Sequence, residues 1–236
     1  MLGNGIEVLR QSLALGQIMA VVEATARWVS PDTFHLLPVW YPEYARGMHL
    51  STGYWSEPRV RRTGVPALET NVQASKALTA ALGLSSAHRR NWSCCHIWGV
   101  DDPTFASPNA VVRDHRFYSC VGNMVLLPDP LKAFTDSIPE VKSMLRACAR
   151  HLYGRSCGGA DDDATSSEAV DDPAWPASWP RRAGQREPAG VMPLTSAVRG
   201  RIARRRLEIR RDLDFAGPRY PREEVLRALA EFDITL

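Results

Sequence analysis

His96 and Asn123 are the two side chains of this sequence whose types and spacing best suit chemistry. His96 lies in the run 95–98 (CHIW), and Asn123 lies in the run 122–128 (GNMVLLP). A neutral imidazole can take a proton from water near neutral pH, and a side-chain amide can hold a loop in place by hydrogen bonds. A helical pattern follows the second run directly. This order suits a small metal-dependent site that cleaves phosphodiester bonds.

Each residue alone also has a purely structural interpretation. A histidine flanked by Ile97 and Trp98 in a strand is commonly a packed, hydrogen-bonded residue. An asparagine in Gly122-Asn123 is commonly a turn residue. The functional interpretation rests on the joint order of histidine, asparagine, apolar strand and helix, with Asp136 in that helix.

Two apolar stretches, 94–100 and 117–127, must position these side chains. Proline, aspartate and asparagine separate them, which predicts a hairpin-like pair of strands with a long loop. A short helix is expected over 131–136, and Pro139 suits the first turn of a longer helix over 140–153. Apolar spacings near three and four predict two further helices upstream, over 6–29 and 68–82.

The sequence therefore predicts an α+β fold with three parts. Residues 1–154 form a mainly helical domain that encloses a hairpin-helix unit at 92–137. Residues 155–190 are rich in Gly, Ala, Ser, Pro and Asp, which predicts a disordered linker. Residues 191–236 recover helical character as a basic tail.

The order of the 95–98 run, a loop, the 122–128 run and a helix resembles the His-Asn-His (HNH) endonucleases, which share the ββα-metal fold. The resemblance covers about residues 92–137. It implies that His96 activates water as the general base and that Asn123 orients the loop. It also implies a divalent ion that stabilises the scissile phosphate.

The sequence departs from the family at its two metal positions. Cys95 stands where Asp or His usually precedes the base, and Lys132 stands where the helix usually carries His or Asn. A charged lysine cannot bind a metal, although it can contact a phosphate. Asp136, one turn further along, could supply an oxygen ligand. Cys95 favours zinc and Asp136 favours magnesium, so the expected cofactor is a divalent ion, Mg or Zn.

The five cysteines are odd in number and include no CxxC pair, which favours a reduced, cytoplasmic setting. A structural zinc site is an alternative, in which Cys94, Cys95, Cys120 and His96 would come together across the hairpin. No apolar run reaches the length that a membrane span needs, so no membrane partner is expected. The formal net charge of +3 does not by itself indicate a polyanionic partner.

Arginines concentrate between residues 199 and 211 and are the best electrostatic indication of a DNA partner. The candidate phosphate contacts are Arg201, Arg204, Arg205, Arg206 and Arg210. The alternative is a solvated helix that only keeps the protein soluble. Aromatic residues between 40 and 55 either stack on bases or, more commonly, fill a core.

Three functional hypotheses follow. The first is a metal-dependent nuclease acting on DNA, with His96, Asn123 and Lys132 in the catalytic site and Asp136 and Cys95 as metal ligands. The second is a non-catalytic nucleic-acid-binding protein on a degenerate HNH scaffold. The third is a protein-interaction module that uses the helices at 68–82 and 140–153. The sequence does not indicate an oligomeric state.

Overall fold

An antiparallel hairpin lies among helices in this computed structural model, which describes residues 4–99, 110–155, 157, 175–180 and 188–236. The elements in chain order are α1 (Gly5–Ser12), α2 (Leu15–Thr25), β1 (Trp28–Val29), α3 (Pro31–Leu36), α4 (Val72–Ala81), β2 (Trp92–His96), α5 (Ala110–Arg113), β3 (Met124–Pro128), α6 (Lys132–Ser137), α7 (Pro139–Tyr153), β4 (Val191–Met192), α8 (Ser196–Phe215) and α9 (Arg222–Glu231). The described residues thus form a mixed α+β fold that is mostly helical.

The hairpin consists of β2 and β3, and α6 follows it closely in sequence. Its register pairs Trp92 with Pro128 at the open end and His96 with Met124 beside the connecting loop. All residues of β3 except Pro128 are buried, which agrees with the apolar run that predicted the strand. The predicted α+β class, with a hairpin inside a mainly helical fold, is confirmed.

A second, smaller pairing joins distant parts of the chain. β1 and β4 are parallel, with Trp28 opposite Val191. The backbone of Arg27, just before β1, also exchanges hydrogen bonds of 2.9 and 3.1 Å with Leu126 of β3. The hairpin is therefore fixed to the N-terminal part of the chain through one strand edge.

The boundaries of α7 follow from local chemistry. Pro139 occupies the first turn, where its missing N–H costs no helical hydrogen bond. Gly154 ends the helix in the left-handed conformation, with φ of 65°. The face that carries Val141, Leu145 and Cys148 is buried. The face of α4 that carries Ala77 and Leu78 is also buried, whereas Val72 at the start of α4 is 52% exposed.

α8 was expected in a basic tail, but it packs on α3 and α4. Its buried residues Val198, Ile202 and Ile209 lie at helical spacings on one face. Val198 and Ile202 belong to the same apolar cluster as Leu78 of α4. Residues 191–236 therefore contribute to the main core.

The described parts of the expected linker also pack on the core. Cys157, Trp175 and Trp179 are 1%, 7% and 3% exposed. The Trp179 ring meets Trp28 edge to face, with the ring centroids 5.8 Å apart. These three residues therefore pack on the core, and the disordered linker stays a prediction. The other residues of the expected linker, namely 156, 158–174 and 181–187, lie outside the described residues.

The aromatic-rich stretch between residues 40 and 55 mostly fills the core, as Trp40 (2% exposed) and Trp55 (8% exposed) illustrate. Tyr54 is the exception at 89% exposed. Among the described residues, no single helix is long and apolar enough to cross a membrane. α1 and α2 meet those requirements only as a pair, and the pair is bent by 102°.

Candidate functional site

Cys95 and His96 are neighbours in β2 and therefore point to opposite faces of the hairpin. The Cys95 thiol lies on the α6 side, where it interacts with Thr135 and with the charges of Lys132 and Asp136. The His96 ring lies on the other side and packs against Tyr118, with the ring centroids 5.8 Å apart. The two side chains thus have different nearest partners, although the charge of Lys142 acts on both residues.

Asn123 is fully buried and closes the loop between the two strands. Its Oδ1 accepts a hydrogen bond of 2.7 Å from the backbone N–H of Trp98. Its Nδ2 donates to the carbonyl oxygens of Trp98, at 3.1 Å, and Phe117, at 3.2 Å. One side chain therefore joins the start of the loop to its end. This geometry is what the loop-fixing role requires.

The hydrogen bond of His96 determines which ring nitrogen is free to accept a proton. Nε2 lies 2.9 Å from the carbonyl oxygen of Tyr118. Because a carbonyl only accepts hydrogen bonds, Nε2 carries the hydrogen in the neutral ring, and Nδ1 keeps its lone pair. Burial, together with the positive charges of Arg46 and Lys142, lowers the pKa of His96 to about 4. His96 is therefore neutral at neutral pH.

Glu69 holds the side chain of Tyr118, the residue whose carbonyl His96 contacts. The Tyr118 hydroxyl donates to Glu69 Oε1 at 2.6 Å, and the same oxygen accepts the backbone N–H groups of Val72 and Gln73 at the start of α4. Glu69 is only 2% exposed. A chain of contacts thus runs from the N-terminus of α4 through Tyr118 to the histidine ring.

A pocket of about 280 Å³ opens between the hairpin, α6 and the start of α7. Its walls come from six segments of the chain. The lining residues are Arg46, Asn71, Cys94, Cys95, His96, Gly99, Lys132, Thr135, Asp136 and Lys142. The hairpin thus brings His96, Cys95, Lys132 and Asp136 to one pocket, whereas Asn123 lies behind it.

Charge in this pocket is mainly positive. Lys132 Nζ and Asp136 Oδ2 form an ion pair of 2.6 Å between successive turns of α6, and both side chains are about half exposed. This pair raises the pKa of Lys132. Lys142 Nζ donates to the carbonyl oxygen of His96 at 3.3 Å. Among the described residues that line the pocket, Arg46, Lys132 and Lys142 are cationic and Asp136 is a carboxylate.

The lining residues do not fit a divalent metal. Asp136 is paired with Lys132, and Lys132 is a cation. Burial raises the pKa of Cys95 to about 11, so its thiol keeps the proton that a metal ligand must lose. In the described part of the chain, no group of three or more His, Cys, Asp or Glu residues could hold a metal ion. The expected Mg or Zn site at Asp136 and Cys95 therefore lacks a ligand set there.

The alternative zinc site is also not assembled. Cys94 Sγ lies 3.4 Å from the sulfur of Met124, inside the hairpin. Cys120 Sγ lies 3.7 Å from Cys157 Sγ in a separate buried contact. The Cys95 thiol faces α6. The cysteines therefore do not converge on His96.

The five arginines that were expected to contact DNA have different environments. Arg205 is 7% exposed, pairs with the buried Glu43 and donates to the Trp40 carbonyl at 2.6 Å, so it is a core residue. Arg201 donates to the carbonyl oxygens at the end of α4 and just after it. The remaining three are at least partly at the surface. They are Arg204, Arg206 and Arg210.

Sequence reasoning missed Arg46, Lys142 and the contact between Tyr118 and Glu69. Arg46 lies in an irregular segment with no period that could assign it a face. Lys142 follows Pro139 in the first turn of α7, where a lysine is an ordinary surface residue. Only the proximity of α7 to the hairpin, which is a tertiary contact, gives it a place in the pocket.

Comparisons of this chain with protein-family models, with curated proteins and with solved structures find no match.

Proposed function

We propose that this protein is a nuclease that binds the phosphodiester backbone of DNA in the hairpin pocket and hydrolyses it with His96 as the general base. The observation that carries the proposal is the neutral His96 ring in a pocket that Arg46, Lys132 and Lys142 also line. Its Nε2 is held by the Tyr118 carbonyl, which leaves Nδ1 able to accept a proton. Asn123 holds the loop between β2 and β3, which contains Tyr118.

In the proposed reaction, a water molecule attacks phosphorus while its proton passes to Nδ1 of His96. The bond from phosphorus to the leaving oxygen breaks, and that oxygen takes a proton from solvent. Negative charge grows on the phosphoryl oxygens in the transition state. The cations of Arg46, Lys132 and Lys142 supply the compensating charge. Since the lining residues do not fit a metal, no step is assigned to one.

The test is nicking of supercoiled plasmid DNA by the full chain, with EDTA and separately with Mg²⁺, Mn²⁺ and Zn²⁺. We expect His96→Ala to lower the nicking rate by about 100-fold or more, because it removes the general base. Binding of DNA should remain. His35→Ala is the matched control, because His35 is exposed on α3 and does not line the pocket. Equal nicking by the two variants would remove His96 from the reaction.

A non-catalytic nucleic-acid-binding protein is the second candidate. The ion pair between Lys132 and Asp136 favours it over the metal-dependent nuclease that the sequence predicts, because this pair neutralises the carboxylate that a metal would need. Under this alternative, the wild-type protein binds DNA with strong salt dependence and nicks it neither with EDTA nor with any of the three metal ions. The same two assays therefore separate the candidates.

A further inference from the structure

An exposed arm, residues 58–66, projects from the segment between Met48 and Glu69. Two backbone hydrogen bonds of 2.8 Å hold the base of the arm to Leu50. The Arg59 N–H donates to the Leu50 carbonyl, and the Leu50 N–H donates to the carbonyl of Ala67, the residue directly after the arm. Within the arm, Arg61 N–H donates to the Val65 carbonyl at 2.9 Å. The result is a short two-stranded ribbon with a tight turn at its tip.

The turn at the tip runs from Arg61 to Gly64. The Gly64 N–H donates to the Arg61 carbonyl at 2.9 Å. Gly64 has φ of 79°, a conformation that glycine adopts without the steric cost of a Cβ atom. The tip is therefore a defined turn that presents its side chains outward.

Every residue of the arm is exposed, including the apolar Val60 and Val65, each at 55%. The arm also carries three arginines, Arg59, Arg61 and Arg62, and no acidic residue. Within the described ranges, none of these arginines pairs with a carboxylate. The fold thus presents three cations to solvent, and no acidic side chain of the described residues forms an ion pair with them.

The longer segment that carries the arm begins and ends beside the hairpin pocket. At its base, the backbone N–H of Gly47 donates to the Glu69 carbonyl at 2.8 Å. Arg46 directly precedes this contact and Asn71 follows it by two residues, and both line the pocket. The base of this segment therefore adjoins the pocket that would hold the polymer.

We propose that the arm is a second contact for double-stranded DNA, which holds the duplex next to the phosphodiester bound in the pocket. This inference rests on the proposed function. A two-stranded ribbon is narrow enough to enter the major groove, and guanidinium groups bind phosphates in a bidentate geometry. Three unpaired arginines on such a ribbon complement the charge of the duplex backbone and give binding that does not depend on sequence.

The experiment is fluorescence anisotropy of a labelled 25-base-pair duplex, and of one of its strands alone, titrated with the full chain over a range of salt concentrations. The test variant is Arg61→Ser with Arg62→Ser. Arg219→Ser with Arg227→Ser is the matched control, because it removes the same charge from exposed positions in and beside α9. Thermal melting confirms that both variants remain folded.

We expect the arm variant to weaken duplex binding about tenfold or more at 0.1 M salt and to lower the slope of log Kd against log salt by about two. The control variant should change Kd by less than about twofold. Equal affinities for the two variants would overturn the role of the arm while the nicking proposal stands. An equal loss with the single strand would overturn the duplex assignment. No binding by the wild-type protein would overturn the proposed function itself.

Discussion

The low pKa of His96 has a consequence for folding that can be measured without knowing the substrate. The folded pKa is about 4, because the ring is buried and Arg46 and Lys142 oppose a further positive charge. In the unfolded chain the ring titrates near 6.5. Between these two values the unfolded chain binds the proton and the folded chain does not. The free energy of unfolding therefore falls as the pH is lowered from 6.5 to 4, and this loss amounts to about 3 kcal/mol.

The assay is urea denaturation of the wild-type protein and of His96→Gln at several pH values between 7 and 4. Glutamine keeps an N–H donor for the Tyr118 carbonyl but does not titrate. Other groups titrate in both proteins, so the difference between the two curves isolates His96. We expect the wild type to lose about 3 kcal/mol more than the variant over this range. NMR titration of the His96 ring gives the same pKa directly.

Parallel pH dependence of the two proteins would refute this reasoning. So would an NMR midpoint for His96 near 6.5, because it would mean that the ring is hydrated in solution. His35→Gln provides the control, since His35 is exposed on α3 and does not line the pocket.

Two further predictions concern buried polar groups. Asn123→Ala should lower the free energy of unfolding, measured by urea denaturation, by about 2 to 4 kcal/mol. The substitution leaves the buried N–H and carbonyl of Trp98 without their partner. A change below about 0.5 kcal/mol would contradict the loop-fixing role of Asn123. Arg205→Ala should cost about 3 to 5 kcal/mol, because Glu43 would stay buried without its ion partner. The exposed neighbour Arg204→Ala should change stability by less than about 0.5 kcal/mol, and equal losses for the two arginines would contradict the burial of Arg205.

The local elements could be predicted because their signals lie close together in sequence. Pro139 and Gly154 mark the ends of α7, and the apolar runs on both sides of the loop mark the hairpin. These features depend on turn chemistry and periodicity, which neighbouring residues determine. The order from β2 through β3 to α6 could be predicted for the same reason.

The burial of Arg205 could not be predicted from the sequence. The buried face of α8 runs through Val198, Ile202, Arg205 and Ile209, so one arginine occupies a core position among many at the surface. Its partner Glu43 lies in a distant irregular segment. Only a tertiary contact distinguishes Arg205 from Arg204. In the sequence, both are arginines of the same basic run.

The positive charge of the pocket was also beyond sequence reasoning. Arg46, Lys132 and Lys142 come from three separate segments, and two of the three have no motif that marks them. The resemblance to HNH endonucleases led to an expected metal site, whereas the pocket has an ion pair at that position. Local sequence patterns do not indicate which charged side chains from distant segments lie together in the fold.

The pairing of β1 with β4 makes the fold complete only late in synthesis. Trp28 pairs with Val191 of β4, and the core around α4 includes Val198 and Ile202 of α8. Contacts between such distant residues require closure of a long loop, which slows folding. A nascent chain that ends before β4 lacks these contacts, although all the residues that line the hairpin pocket are already present. Removing the last segment to test DNA binding would therefore also disturb the core, so substitutions at single surface residues are the informative experiment.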